Sequence, residues 1–136
     1  MKIFIGGSKT INSLCNKTIA ALEEICLQGY EILIGDCFGA DCLVQKYLFK
    51  RGYNNVTIYA SEDKVRHNEG DFPVKAVSVN RNINGFEYYR QKDIAMAKDA
   101  DCALMLWDGK TRGTLRNIED MKSLNKPVKV IMYELR

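Results

Sequence analysis

The stretch CALMLWDGKTRGTLRNIEDM, Cys102 to Met121, decides the fold. Its first six residues are apolar without alternation, which is how a strand buried on both faces reads. The next seven, Asp108 to Thr114, hold two glycines, two threonines, a lysine and an arginine. The run TLRNIEDMKSL then reads as a helix, with Pro127 just beyond its stop. A simple strand-to-helix turn needs only a few residues. A loop this polar is suited to hold something, and an anion is what its residue types would hold.

The same unit recurs along the chain. KIFIG (Lys2 to Gly6) is a short β-rich run stopped by Gly-Gly. From Ile11 to Leu27, Leu14, Ile19, Leu22, Ile25 and Cys26 recur at helical spacing, and Gly29 reads as the stop. EILIG is a second strand. GADCLVQKYLFKRG is a helix with Leu43, Val44, Tyr47 and Leu48 on one face, closed by Gly52. NVTIYA is a third strand. GFEYYRQKDIAMAKDA is a helix with the apolar residues Phe86, Tyr89, Ile94 and Ala97. CALMLW is the fourth strand and VKVIMY the fifth.

Strands that alternate with helices, apolar on both faces, predict an α/β fold with a mostly parallel sheet covered on two sides. Right-handed crossovers leave few topologies. The expectation is one Rossmann-like three-layer domain over residues 1–136, strand order 3-2-1-4-5, with its switch point between the loops after Gly6 and Trp107. The segment Ser61 to Gly85 fits least well. It is long, polar and asparagine-rich, and reads either as a functional loop or as a solvated insertion, with VKAVSV as an extra edge strand.

Composition narrows the class. The chain has 136 residues, 46% hydrophobic and 27% charged, which is enough for one packed core. A net charge of +3 is too small to argue for nucleic acid. The five cysteines, Cys15, Cys26, Cys37, Cys42 and Cys102, are odd in number and several lie in apolar runs. That pattern predicts reduced thiols in a cytoplasm. The start, MKIFIGGSK, lacks the apolar region and small-residue site of a signal peptide. No run approaches the ~20 apolar residues of a membrane span.

Three glycine-bearing loops follow strands and precede helices: GGSKT (Gly6 to Thr10), GDCFGAD (Gly35 to Asp41) and DGKTRGT (Asp108 to Thr114). Helix N-termini offer unpaired N–H groups and partial positive charge, and glycine lets backbone approach a ligand closely. Each loop alone has an ordinary explanation. Gly6-Gly7 suits a turn, Gly39-Ala40-Asp41 close helix–sheet packing, and Gly113-Thr114 an N-cap. Their convergence on one sheet edge is what favours an anion pocket. Neither a G-x-G-x-x-G fingerprint nor a Walker A pattern is present.

The order IFIGGSKTI, LIGDCFGADCLVQKYLFKRGYNNVTIYA, YYRQKDIAMAKDADCALMLWDGKTRGTLRNI, NKPVKVI resembles the SLOG superfamily. These are Rossmann-like domains related to DprA and to the LOG phosphoribohydrolases, and the likeness is to their short stand-alone bacterial and phage branch. It spans the chain except Ser61–Gly85. The resemblance implies a nucleotide or nucleotide-derived ligand at the strand carboxyl ends, and relatives suggest a homodimer. By that resemblance Gly6, Gly7, Ser8 and Lys9 form the first loop, with Lys9 where arginine is usual. Gly35, Asp36, Gly39, Ala40 and Asp41 belong to the second. Arg90 takes the place of the helix arginine, Gln91 stands where asparagine is usual, and Met96 lies further along than the family methionine. Asp108, Gly113 and Thr114 belong to the last turn. Asn117 stands where the phosphoribohydrolase relatives carry glutamate, so N-glycosidic hydrolysis would need Asp41 or Asp108 instead. Glu119 is expected to point away from the pocket.

Other chemistry is thinner. His67 is the only histidine and cannot build a zinc site alone, and Cys37 and Cys42, with four residues between them, show no further ligands in the sequence. Tyr88 and Tyr89 cannot both face the core, so one is free to stack on a base or to cover a neighbour. The expected function is binding of a nucleotide or nucleotide-derived metabolite, with no catalytic residue, metal or cofactor. The alternatives are a nucleoside 5'-phosphate N-glycosidase and a DNA- or protein-interaction subunit.

Overall fold

The computed structural model describes residues 1–62 and 64–134. The apolar runs become strands because both of their faces are covered. They are β1 (Lys2–Gly7), β2 (Glu31–Ile34), β3 (Val56–Ser61), β4 (Val74–Val77), β5 (Cys102–Trp107) and β6 (Val128–Met132). The helices are α1 (Asn16–Gln28), α2 (Ala40–Arg51), α3 (Gly85–Asp99) and α4 (Arg112–Ser123). All strand pairs are parallel, in the order β4-β3-β2-β1-β5-β6. Alternate strand residues feed two separate cores. Ile3, Ile5, Ile32, Ile34, Leu104 and Leu106 pack with Leu22, Val44 and Leu48 of α1 and α2. Phe4, Leu33, Ala103 and Met105 pack with Met96, Ala97, Ile118 and Met121 of α3 and α4. The result is a three-layer Rossmann-like α/β domain.

The sheet differs in detail from the five-strand expectation. Val74–Val77 adds a sixth strand beside β3, pairing Ile58 with Val74 and Ser61 with Val77. It lies within VKAVSV, the run offered as an extra edge strand, and its side chains are mostly exposed, as suits an edge. Helix α1 starts at Asn16 rather than Ile11. The residues before it form a loop in which Ile11 is buried and its N–H reaches the Ser8 carbonyl at 3.3 Å.

Two helix faces also differ. The inward side of α3 carries Arg90 and Lys92 beside Met96 and Ala97, while Tyr89 is exposed. Charged residues can lie inward there because carboxylates lie opposite them. Helix α4 starts at Arg112, which moves Gly113 and Thr114 from the loop into the first turn, with Thr111 as N-cap. Among the described residues no helix is long and apolar enough to cross a membrane.

Candidate functional site

Strands β2, β1 and β5 are neighbours, so the loops that leave them meet at one edge. Two glycines make the meeting possible. A methyl on Gly7 would stand 2.6 Å from Ala40 Cβ and 2.7 Å from the Leu106 carbonyl oxygen. Gly39 has φ +81°, and a methyl there would come within 2.5 Å of Lys9 backbone. The first and second loops are thus packed backbone to backbone, where only glycine fits.

Beyond this edge, between the loops and α3 and α4, lies a cleft of about 790 Å³. That volume suits a small-molecule ligand. Of the residues singled out from the sequence, Gly6, Gly7, Lys9, Gly35, Asp41, Arg90, Asp108, Gly113, Thr114 and Asn117 line it.

Ser8, Asp36, Gly39 and Ala40 are not on its wall, and each has a structural task. Ser8 is fully buried. Its Oγ accepts from Asp108 N–H at 3.1 Å and lies 3.5 Å from Thr114 Oγ1, so it ties the first loop to the third. Asp36, also buried, accepts from the Arg66 N–H and guanidinium at 2.9 Å each and so fastens the long insertion to β2. Ala40 fills the gap against Gly7, and Gly39 makes the turn that lets it.

The two candidate carboxylates differ. Asp108 Oδ1 accepts from the N–H groups of Lys110 and Thr111, both at 2.8 Å. Its Oδ2 accepts from the Thr10 and Thr111 hydroxyls, both at 2.7 Å. Partial burial works to raise its pKa, but these four donors outweigh that and hold the carboxyl well below the usual range. It organises the loop and has no lone pair left to act as a base.

Asp41 is buried and its Oδ2 accepts one bond, from Cys37 N–H at 3.1 Å. Burial pushes its pKa up to about 7, against the pull of nearby Lys92. Lys92 is itself buried. Burial disfavours its charge, yet Asp93 at 2.9 Å, Asp41 and Asp36 keep it protonated. Gly35 leaves the room for this group: a methyl there would meet Asp41 Oδ2 at 2.8 Å and Lys92 Nζ at 3.1 Å.

The far wall belongs to α3 and α4. Arg90 is held by Asp120 through two bonds, at 3.0 and 3.3 Å. Its buried Nε has no hydrogen-bond partner among the described residues. Asn117 is 6% exposed, and its Oδ1 also has none among those residues. The N–H groups of Arg112, Gly113 and Thr114 precede the first bond of α4, from Leu115 N–H to the Thr111 carbonyl at 3.3 Å.

At the rim, the Arg112 guanidinium lies 4.1 Å from the Phe86 ring centre, and the Arg66 guanidinium 4.5 Å from that of Tyr89. Tyr88 meets Tyr89 edge-on. Glu119 is exposed, and Met96 lies in the cleft floor.

The sequence reading missed Arg66, Phe86, Lys92 and Asp93 as wall residues, whereas Lys110 and Arg112 belong to the loop it singled out. A signal existed for Phe86, Tyr89, Arg90 and Asp93, whose three- and four-residue spacing puts them on one helix face. For Arg66, in an insertion without periodicity, there was none.

No family model and no curated protein matches the sequence. Among solved structures, the C-terminal domain of a hydrogenase from Pyrococcus furiosus aligns with it at 16% identity and TM-score 0.39, over 95% of this chain and 89% of that one. A likeness at that level assigns no function.

Proposed function

We propose that the chain binds a nucleotide or nucleotide-derived metabolite in this cleft, in the manner of the SLOG domains it resembles. The observation that carries the reading is Asn117 Oδ1, a buried acceptor on the cleft wall with no partner among the described residues. Leaving such an atom unmet costs about 1–3 kcal/mol, which a ligand hydroxyl, such as that of a ribose, would recover.

The surroundings fit the rest of such a ligand. Six cationic side chains line the cleft (Lys9, Arg66, Arg90, Lys92, Lys110, Arg112) against three carboxylates (Asp41, Asp93, Asp108). Of the six, Lys9, Lys110 and Arg112 form no ion pair among the described residues. They stand with the first turn of α4, where a phosphate is favoured by both N–H groups and helix dipole. Phe86 and Tyr89 offer faces on which a base would stack.

A thermal-shift panel of nucleosides, nucleoside phosphates, cyclic nucleotides and ADP-ribose compounds tests this. Ligand that binds only the folded state raises the melting temperature by mass action. Phosphorylated members should shift it and bare nucleosides far less. No shift from any of them at about 1 mM, the upper end of the range in which enzymes ordinarily engage metabolites, defeats the reading.

Asp41 supports a second reading, cleavage of a nucleoside-phosphate N-glycosidic bond. A buried carboxyl with a pKa near 7 can give a proton to a departing base. Against it, Asn117 cannot serve as a nucleophile or accept a proton near neutral pH, and Asp108 is fully occupied by donors. Chromatography of nucleoside monophosphates incubated with the protein decides the matter. Free base that disappears on Asp41→Asn would establish the enzyme, and intact nucleotide would leave binding alone.

A further inference from the structure

Away from the cleft floor, three unlike side chains meet. Cys42 Sγ on α2, a His67 ring nitrogen and a Glu69 carboxylate oxygen all lie within 4.8 Å of one another. Sequence spacing hides the group, because the histidine and glutamate come from the insertion, some twenty-five residues beyond the cysteine. We propose that Cys42, His67 and Glu69 form a site for a zinc-class transition-metal ion that clips the insertion onto α2.

The backbone, rather than chance rotamers, brings the three together. Gln45 lies one turn after Cys42 on the same helix face and is fully buried. Its Oε1 accepts from Glu69 N–H at 2.8 Å, and its Nε2 donates to the His67 carbonyl at 3.4 Å. One side chain therefore holds both ends of the His67–Glu69 turn against the helix that carries Cys42. The turn is closed from beyond by Asn68, which donates to the Phe72 carbonyl and accepts from Phe72 N–H, each at 2.9 Å. It is closed from before by Arg66 on Asp36.

Ligand chemistry selects the ion. A thiolate and an imidazole reject magnesium and calcium, and a cysteine–histidine–carboxylate set suits zinc. Ligand atoms around a tetrahedral zinc stand roughly 3.3–3.8 Å apart, so small rotations of half-buried His67 and Glu69 complete the geometry. Charge also balances. The Cys42 thiol, which donates to the Cys37 carbonyl at 3.4 Å, releases its proton to solvent on binding. Thiolate and carboxylate together then neutralise a divalent cation. His67 is 39% exposed, which leaves an open side for a water as fourth ligand.

Cobalt(II) titration of the metal-free protein tests the site independently of any nucleotide. The wild type should develop a thiolate-to-cobalt charge-transfer band and the visible bands of a four-coordinate ion, saturating at one equivalent. Zinc should displace the cobalt, raise the melting temperature and slow trypsin cleavage after exposed Lys64 and Arg66. Cys42→Ser should abolish the charge-transfer band. Because that position is buried, His67→Ala provides the second measurement: it should fold normally and lose affinity by more than the roughly 10–100-fold typical of an outer-shell change. Cys37→Ser should bind as the wild type does. Absence of the band in wild type overturns the proposal, as does undiminished cobalt affinity in His67→Ala or a band that depends on Cys37.

Discussion

Gly113→Val separates binding from folding, because the structure gives opposite answers for the two. Gly113 occupies the second position of α4 without positive φ, and a methyl built on it has one neighbour within 4 Å, Phe86 Cε2 at 3.8 Å. That is ordinary contact, so the fold has room for a side chain to leave the backbone there. Valine and glycine differ by only a few tenths of a kcal/mol in helix propensity, in favour of valine. At roughly 3 °C per kcal/mol for a domain of this size, the melting temperature should stay within about 2 °C of wild type.

The cleft has no such tolerance. Valine methyls would stand beside the N–H groups of Gly113 and Thr114, where the proposed phosphate would approach. Affinity should fall at least about tenfold, or roughly 1.4 kcal/mol. Gly7→Ala is the contrasting control. Its methyl would sit 2.6 Å from Ala40 Cβ, 2.7 Å from Leu106 O and 2.9 Å from Leu106 Cβ. Overpacking of that kind costs about 1–3 kcal/mol and should lower the melting temperature by several degrees. Calorimetric titration with the best nucleotide of the panel, beside a thermal melt, reads both quantities. Full affinity in Gly113→Val would show that this turn of α4 is not where phosphate sits. A large loss of stability would show that the helix start is packed more tightly than described.

Three further outcomes are expected. Asn117→Leu replaces an unmet buried acceptor with an apolar group of similar size, so it should raise the melting temperature slightly while weakening nucleotide binding; unchanged binding would remove Asn117 from the ligand's reach. Asp41 has a pKa raised in the folded state, so the folded protein binds the extra proton and wild-type stability should drain away as pH rises from about 4 to 7. The melting temperature of Asp41→Asn should therefore climb relative to wild type between pH 5 and pH 8, and a flat or falling difference would refute the burial argument. Random DNA or RNA should not bind with submicromolar affinity at physiological salt, since a net charge of +3 neutralises few phosphates. A fluorescence-anisotropy titration showing otherwise would favour the interaction-subunit alternative.

Period and punctuation carried the architecture. Strands such as CALMLW and EILI are apolar on both faces, and only a parallel sheet between two helical layers buries both, so β1, β2, β3, β5 and β6 and the class of fold were legible. The glycines between strand and helix were legible too, because close backbone approach excludes other residues. Tertiary structure decided what had no period. VKAVSV was readable as an edge strand, but its parallel pairing with β3 follows from contacts that its exposed side chains do not signal. The division of labour among carboxylates was equally hidden. Asp108 and Asp41 read alike in sequence, yet four donors surround the first, while burial and a lysine from a distant helix surround the second. Arg66, His67 and Glu69 matter only because Asp36 and Gln45, buried in other elements, hold them in place. A residue's neighbours along the chain determine its secondary structure through local geometry, whereas its charge state and partners follow from neighbours through space, which a single sequence does not record.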